Sequence, residues 1–157
     1  MAFDAVDRKI ITLLQLDGRL TSAAIAEKVN LSLSACHRRV QLLQESGVIA
    51  GYGAKIDRHK IGLSVKGFVF VKMESHDAAL LKDFLAAVEG IPEVITCHAI
   101  SGDGDYLLEV MAADMDAFAE VSLKRVVRLP GVKDSRTNFV LSTVAEKGAW
   151  PIPEAGR

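Results

Sequence analysis

The sequence has no apolar run approaching the ~20 residues that a membrane-spanning helix needs, so no membrane partner is expected. Its beginning, Met1-Ala2-Phe3-Asp4, lacks the positive segment and apolar stretch of a secretory leader, and a cytoplasmic location is expected. Cysteine is scarce: Cys36 and Cys97 stand alone, with no Cys-x-x-Cys pair and no His/Cys cluster at zinc spacing. In the doublets Cys36-His37 and Cys97-His98 the neighbours point apart on a helix or a strand, so neither doublet reads as a pair of metal ligands. No metal and no cofactor is expected, and two unpaired thiols suit a reducing compartment. A surplus of charge is also missing. The net charge of −1 argues neither for nor against nucleic acid.

What is present is a globular composition, half apolar and one quarter charged, with apolar material for a core in each half of the chain. Charge is unevenly spread. Residues 1–60 carry nine cations and six anions, which leaves the remainder at −4. A mildly basic front and an acidic rear fit a DNA-facing half joined to something else.

In the first sixty residues Asp4 can cap a helix with Val6, Ile10, Leu13 and Leu14 on one side, ended by Asp17-Gly18. Thr21 or Ser22 caps a short second helix, Ala23 to Val29, with Ile25, Ala26 and Val29 inward. Ser32 caps a third helix that runs to Ser46 and stops at Gly47, with Cys36, Val40 and Leu43 inside. The turn between the second and third helices is about three residues long, the length of a helix-turn-helix connection. Small Ala26 faces the crossing, Leu31 plugs the junction, and Asn30 stands where a left-handed residue is wanted. The outer face of the third helix reads Ser32, Ser34, His37, Arg38 and Gln41, side chains that hydrogen-bond to base edges or phosphates. Arg39 lies at the edge of that face, within reach of a phosphate. Thr21 and Ser22, at the start of the second helix, join the DNA-facing set. The competing reading is a three-helix protein-interaction module with a solvated polar face. Beyond it, residues 48–57 lose the helical period and read as a short strand or extended linker, and Arg58-His59-Lys60 as a solvated connection.

From residue 64 strands alternate with helices. Val65–Glu74 is β-rich, and Asp77 caps a helix carrying Leu80, Leu81, Phe84, Leu85 and Val88. Glu93–Ile100 is a strand, Ser101-Gly102-Asp103-Gly104 a turn, and Asp105–Met111 its hairpin partner. Asp114 caps a second helix with Met115, Phe118, Val121 and Val126, and Val132–Val144 closes as a fourth strand. The order β-α-β-β-α-β is the ferredoxin-like plan, so the fold class is α+β. Two helices cover one face of a four-stranded sheet, yet Phe68 and Phe70 alternate with Val69, Val71 and Met73. The uncovered face should therefore bury itself against another subunit. The expected domains are 1–50 (helix-turn-helix), 51–63 (linker strand and connection), 64–145 (ferredoxin-like) and 146–157 (tail).

Several motifs in fixed order resemble one family, the Lrp/AsnC (feast/famine) regulators. They are Asp7-Arg8-Lys9-Ile10 with Leu16-Asp17-Gly18-Arg19; Leu31-Ser32 with Cys36, Arg38-Arg39-Val40 and Leu43; Gly47-Val48-Ile49 with Gly51-Tyr52; Pro92-Glu93-Val94; Ser101 through Leu108; and Leu129-Pro130-Gly131-Val132. The resemblance covers essentially the whole chain. Asn30 departs from it, replacing the usual turn glycine, and Asn138-Phe139 lies in a stretch that varies among members. The resemblance implies a winged helix-turn-helix, a linker strand and a ferredoxin-like (RAM-type) domain. It implies double-stranded DNA as partner, nucleoid association, and homodimers joined through their sheets that assemble to tetramers or octamers. It also implies an amino acid or related effector bound between dimers at the loop Gly102-Asp103-Gly104-Asp105-Tyr106, with Ser101, His98 and the strand Thr137-Asn138-Phe139 nearby. Two glycines free backbone amides for a carboxylate, and Asp103 or Asp105 can hold an ammonium. Taken alone, the loop is also readable as a plain hairpin turn. As a nucleotide site it is poor, since Asp103 repels phosphate and no third glycine opens a helix. The rival class is an enzyme of the related sirohaem decarboxylase type, with His98 or His76 as proton donor; the intact helix-turn-helix counts against it. A pure assembly module would oligomerise without salt-sensitive DNA affinity.

Overall fold

The computed structural model describes residues 3–154. Met1 and Ala2, which enter the reading of no leader, and residues 155–157 of the tail lie outside the described residues. The chain forms two compact units. One comprises the chain up to Lys55 together with the segment from Val144, and the other is Ile56–Thr143.

The first unit is built on three capped helices. In α1 (Ala5–Leu16) the N-cap Asp4 accepts the Asp7 N–H at 2.8 Å, and the Asp7 carboxylate accepts the Asp4 N–H, a reciprocal capping box. In α2 (Ser22–Val29) the cap is Thr21, whose hydroxyl accepts the Ala24 N–H at 3.2 Å; Ser22 is the first helical residue. In α3 (Leu33–Glu45) Ser32 caps the Ala35 N–H at 3.3 Å. Ile10, Ile25, Ala26, Val29, Cys36 and Leu43 form the core. Burial pushes the Cys36 thiol pKa up, which keeps it protonated and inert.

Arg39 corrects the sequence reading. Its guanidinium donates to Asp4 and to Asp7, each at 2.7 Å, so it clasps α3 to the start of α1. Helical geometry explains this: Arg39 lies three residues after Cys36 and four before Leu43, on the core side of α3. The expected linker strand is also absent. Among the described residues no strand forms before Val65. A lone extended segment finds no neighbour in the chain to satisfy its N–H and C=O groups in a ladder. Arg58 closes the turn that follows, donating to the carbonyls of Leu63 (3.1 Å) and Ser64 (2.9 Å).

The segment from Val144, expected as an appended tail, packs within the first unit. The Gln15 side-chain amide accepts from the Trp150 N–H at 2.6 Å and donates to the Trp150 carbonyl at 3.2 Å. It pairs with the tail backbone much as a neighbouring strand would. A groove of about 370 Å³ runs beside this clamp between α1, residues 48–52 and residues 150–153.

The second unit contains β1 (Val65–Met73), α4 (Ala78–Glu89), β2 (Val94–Ala99), β3 (Tyr106–Ala112), α5 (Met115–Ala119) and β4 (Val132–Phe139). The sheet is antiparallel with order β2-β3-β1-β4, the ferredoxin-like arrangement. β4 ends at Phe139, short of the expected Val144; beyond it Leu141 and Val144 are 96% and 94% exposed. The last helix is also less regular than its pattern suggested. After α5 the chain makes a π-helical turn, Glu120–Arg125, in which the Val126 N–H bonds the Val121 carbonyl, and then a 3-10 turn, Val126–Arg128. The five-residue spacing of Val121 and Val126 fits that wider turn, and both are buried.

One sheet face, carrying Val69, Val71, Met73, Leu108 and Val110, packs against Phe84, Val88, Phe118 and Val121. Gly67 permits this approach, since a Cβ there would lie 2.6 Å from Phe118 Cζ. The other face is not the purely apolar surface expected. Strand pairing aligns Phe68 with Glu109 and Asn138, and Phe70 with Leu107 and Arg136. Lys66 pairs with Glu109 at 2.7 Å and lies 5.5 Å from the Phe68 ring centre, while Arg136 lies 5.2 Å from that of Phe70. It is an apolar strip edged by charge.

The Arg39 clasp generates a pH-dependent prediction. Its Asp4 carboxyl is held below the usual carboxylate range, first by the Asp7 N–H and then by the Arg39 guanidinium. A carboxyl lowered in the folded state contributes stability above its unfolded pKa and loses it as pH falls through the folded value. Arg39→Ala is expected to lower the melting temperature modestly at neutral pH, as for a partly exposed ion pair. The deficit should shrink below the usual carboxylate range. Thermal unfolding of both proteins at neutral and acid pH checks this; an equal deficit at both would mean that Arg39 acts by packing and not by charge.

Candidate DNA-reading helix and effector loop

The α2–α3 turn forms because Asn30 adopts the left-handed conformation (φ 55°, ψ 49°) and its N–H reaches the carbonyls of Ala26 and Glu27. Buried Ala26 lets α3 cross closely, and the Leu31 N–H returns to the Ala26 carbonyl at 3.0 Å. α3 then presents Ser32, Ser34, His37, Arg38 and Gln41 to solvent. Their states differ. His37 and Arg38 have no hydrogen-bonding or ion-pair partner among the described residues. The Ser32 and Ser34 hydroxyls lie 3.2 Å apart, Ser32 also serving as cap, and the Gln41 amide donates to Glu45 at 2.8 Å. The Thr21 hydroxyl serves its own helix, and half-buried Ser22 lines a cavity of about 300 Å³ with His37, Gln41 and Tyr52. Arg39 is absent from this face, held by carboxylates on α1. Arg38 thus carries the uncommitted positive charge of the outer face.

The second candidate site surrounds residues 101–105. Gly102 has φ +109°, a conformation that side chains resist, so the turn requires glycine there. Asp103 is exposed. Of the two roles open to Asp105 in the sequence, holding an ammonium or tying its own hairpin, its contacts are those of the second. Its carboxylate accepts the Met73 N–H at 2.7 Å and holds His76 Nε2 at 2.8 Å, while its N–H donates to the Val71 carbonyl at 2.9 Å. Asp105 therefore ties the start of β3 to the end of β1. The Met73 N–H, and then His76, hold its carboxyl below the usual range.

A polar cavity of about 200 Å³ opens beside the loop, lined by Phe70, Val71, Lys72, Asp103, Gly104, Asp134, Ser135 and Arg136. It offers two cations to a carboxylate and two carboxylates to an ammonium. Lys72, Asp134 and Arg136 escaped the sequence reading, which chose Thr137-Asn138-Phe139 instead. Period-two alternation from Asn138 would have found Arg136 and Asp134 on its face. The remaining expected residues divide. His98 pairs with Leu107 and Asn138 with Phe68 on the open face, whereas Thr137 pairs with Val69 on the helix-covered face. Tyr106 packs on Phe84 at 4.8 Å between ring centres and Phe139 on Phe118 at 4.9 Å, both on the helix side. Ser101 is exposed in the turn. Within one chain Tyr106, Thr137 and Phe139 are thus parted from the cavity by the sheet.

Two family descriptions match the chain. Residues 3–50 match the family described as winged helix-turn-helix DNA-binding, and residues 66–150 match the Lrp/AsnC ligand binding domain. The chain is 36% identical over 149 residues to the leucine-responsive regulatory protein of Salmonella typhimurium, covering 95% of this chain and 91% of that protein. The same protein of Escherichia coli K12 is similar to the same degree. Among solved structures it is similar to a transcriptional regulator of Neisseria meningitidis in complex with L-Met (TM-score 0.90, 34% identity, 96% of this chain and 97% of the other). It is also similar to an AsnC family transcriptional regulator of Agrobacterium tumefaciens (TM-score 0.88, 36% identity, 95% and 97% coverage).

The two loop carboxylates should separate experimentally. Asp105→Ala strands the half-buried Met73 N–H and is expected to cost about 1–2 kcal/mol at neutral pH. Asp103→Ala, which removes no hydrogen bond among the described residues, should leave stability unchanged. Thermal unfolding of both variants is the check, and equal melting temperatures would refute the structural role of Asp105.

Proposed function

This chain belongs to the Lrp/AsnC family of DNA-binding transcriptional regulators, and from that premise we propose that α3 reads operator DNA and that the polar cavity beside Asp103 takes a free amino acid as effector. The observation that carries the effector half is the charge pattern of the cavity. Lys72 and Arg136 offer positive charge to a carboxylate, and Asp103 and Asp134 offer negative charge to an ammonium. The L-Met complex of the similar Neisseria regulator supports an amino acid as the ligand class. Exposed His37 and Arg38 support α3 as the reading head, with Ser34 and Gln41 as further donors and the α3 N-terminus facing a phosphate. An effector acts by binding one DNA-binding or assembly state better than another.

A second copy of the chain is the proposed cover for the open sheet face. Phe68, Phe70 and Leu107 lie there half-exposed, and the Lys66–Glu109 pair at their margin suits an interface rim. Such a subunit contact also brings a second copy near the cavity, and a tetramer or octamer extends the same logic. The enzyme reading has less support. His76 is held by Asp105, which ties the hairpin, and His98 stands beside Leu107 on the open face. Visible absorbance of the purified protein in the haem region would favour that reading instead.

Two measurements test these proposals. Mobility shifts on a duplex enriched by the full-length protein from a random pool should show Arg38→Ala weaker by about 1–3 kcal/mol. The common amino acids should alter wild-type affinity, and at least one such effect should vanish in Asp103→Ala and Arg136→Ala. An effector response that survives both variants would place the ligand elsewhere. Light scattering should report a dimer or larger for the wild type and a smaller species for Phe70→Asp, whereas a monomeric wild type would remove the basis for the interface.

A further inference from the structure

We propose that Leu33 is a specificity residue that reads thymine, docking its side chain against the 5-methyl group in the major groove. The proposal rests on α3 being the DNA-contacting helix. Leu33 is the first residue of α3 and is 57% exposed, outside the core of its unit. A singly exposed leucine is ordinary on a protein surface, so position and surroundings must make the argument.

Both do. Helical side chains tilt toward the N-terminus of their helix, so Leu33 projects ahead of α3, at the end whose residues meet base edges in a helix-turn-helix. Ser32 fixes the backbone there by capping the Ala35 N–H, which holds Leu33 in place without burying it. Its exposed neighbours Ser34 and His37, one residue and one turn further on, are polar. The other exposed leucine of α3, Leu42, lies nine residues on, about 180° round the helix at ~100° per residue. The two therefore form no apolar stripe for a protein partner. An apolar group among hydrogen-bonding groups matches the major groove, where the thymine methyl is the apolar feature among donors and acceptors.

The test uses the full-length protein and a duplex that it enriches from a random pool. The duplex is resynthesised with deoxyuridine replacing each thymidine in turn, which removes the methyl group and keeps the pairing. Wild type should lose about fourfold in affinity at one thymine per half-site, the value of burying one methyl-sized group. Leu33→Ala should bind the thymine and uracil forms of that position alike, while Leu33→Met, still apolar and long, should keep part of the difference. Arg38→Ala should bind more weakly yet stay sensitive to the methyl. If no thymine is methyl-sensitive, or if Leu33→Ala keeps the wild-type profile, the role of Leu33 is overturned while α3 remains the reader. Failure to enrich any duplex would overturn the reading of α3 and this proposal together.

Discussion

A four-stranded sheet has two faces, and this chain has helices for only one. Because strand side chains alternate strictly, each strand commits every second residue to the helix-packed core. In β1 these are Gly67, Val69, Val71 and Met73, and the residues between them are left on the far side. The chain treats that side as neither core nor ordinary surface. The Lys66 ammonium lies over the Phe68 ring and the Arg136 guanidinium over that of Phe70, so cations stand against the apolar strip. Arg136 belongs at once to this strip and to the cavity beside Asp103. Any process that covers the strip therefore bears on the cavity, so the proposed assembly face and the proposed effector site share a side chain.

The DNA-reading unit applies the same allocation to a helix. α3 spends its inner side on Cys36, Leu43 and the Arg39 clasp, and leaves Leu33, His37 and Arg38 uncommitted outside. Two adjacent arginines thus do different work. Arg39 holds α3 against α1, so the side chains proposed to read DNA sit on a helix fixed at its cap by Ser32 and along its back by carboxylates. Such support by neighbouring elements gives a recognition helix a defined orientation before it meets DNA.

In the loop between β2 and β3, Asp103 and Asp105 divide along similar lines. Asp105 takes a backbone N–H and an imidazole and holds the hairpin to β1, while Asp103 faces solvent beside the cavity. Gly102 meets the conformational demand of the turn. A ligand entering the cavity therefore meets a loop whose frame is already held.

How much was legible follows from the range of each interaction. Asp4, Ser32, Asp77 and Asp114 were readable as caps because a cap bonds an N–H two or three residues away. Asn30 was readable because its turn closes within the adjoining helix. The β-α-β-β-α-β order and the outward face of α3 followed from periodicity. Arg39 was legible in part: it was placed at the edge of the outer face, but its charge suggested a phosphate and not the carboxylates of α1. Asp105 was legible as an alternative, a ligand group or a residue tying its own hairpin, but its partners Met73 and His76 were not, and neither were the Gln15 clamp or the shortened β4. The partners of Arg39, Asp105 and Gln15 lie 35, 32 and 135 residues away, and strand register alone decides which of Arg136, Thr137 and Asn138 share a face with the cavity. Local sequence determined the elements and their ends, since those bonds close within a turn. Tertiary structure decided which charged side chains hold the fold and which remain uncommitted, because that depends on partners brought together only by folding.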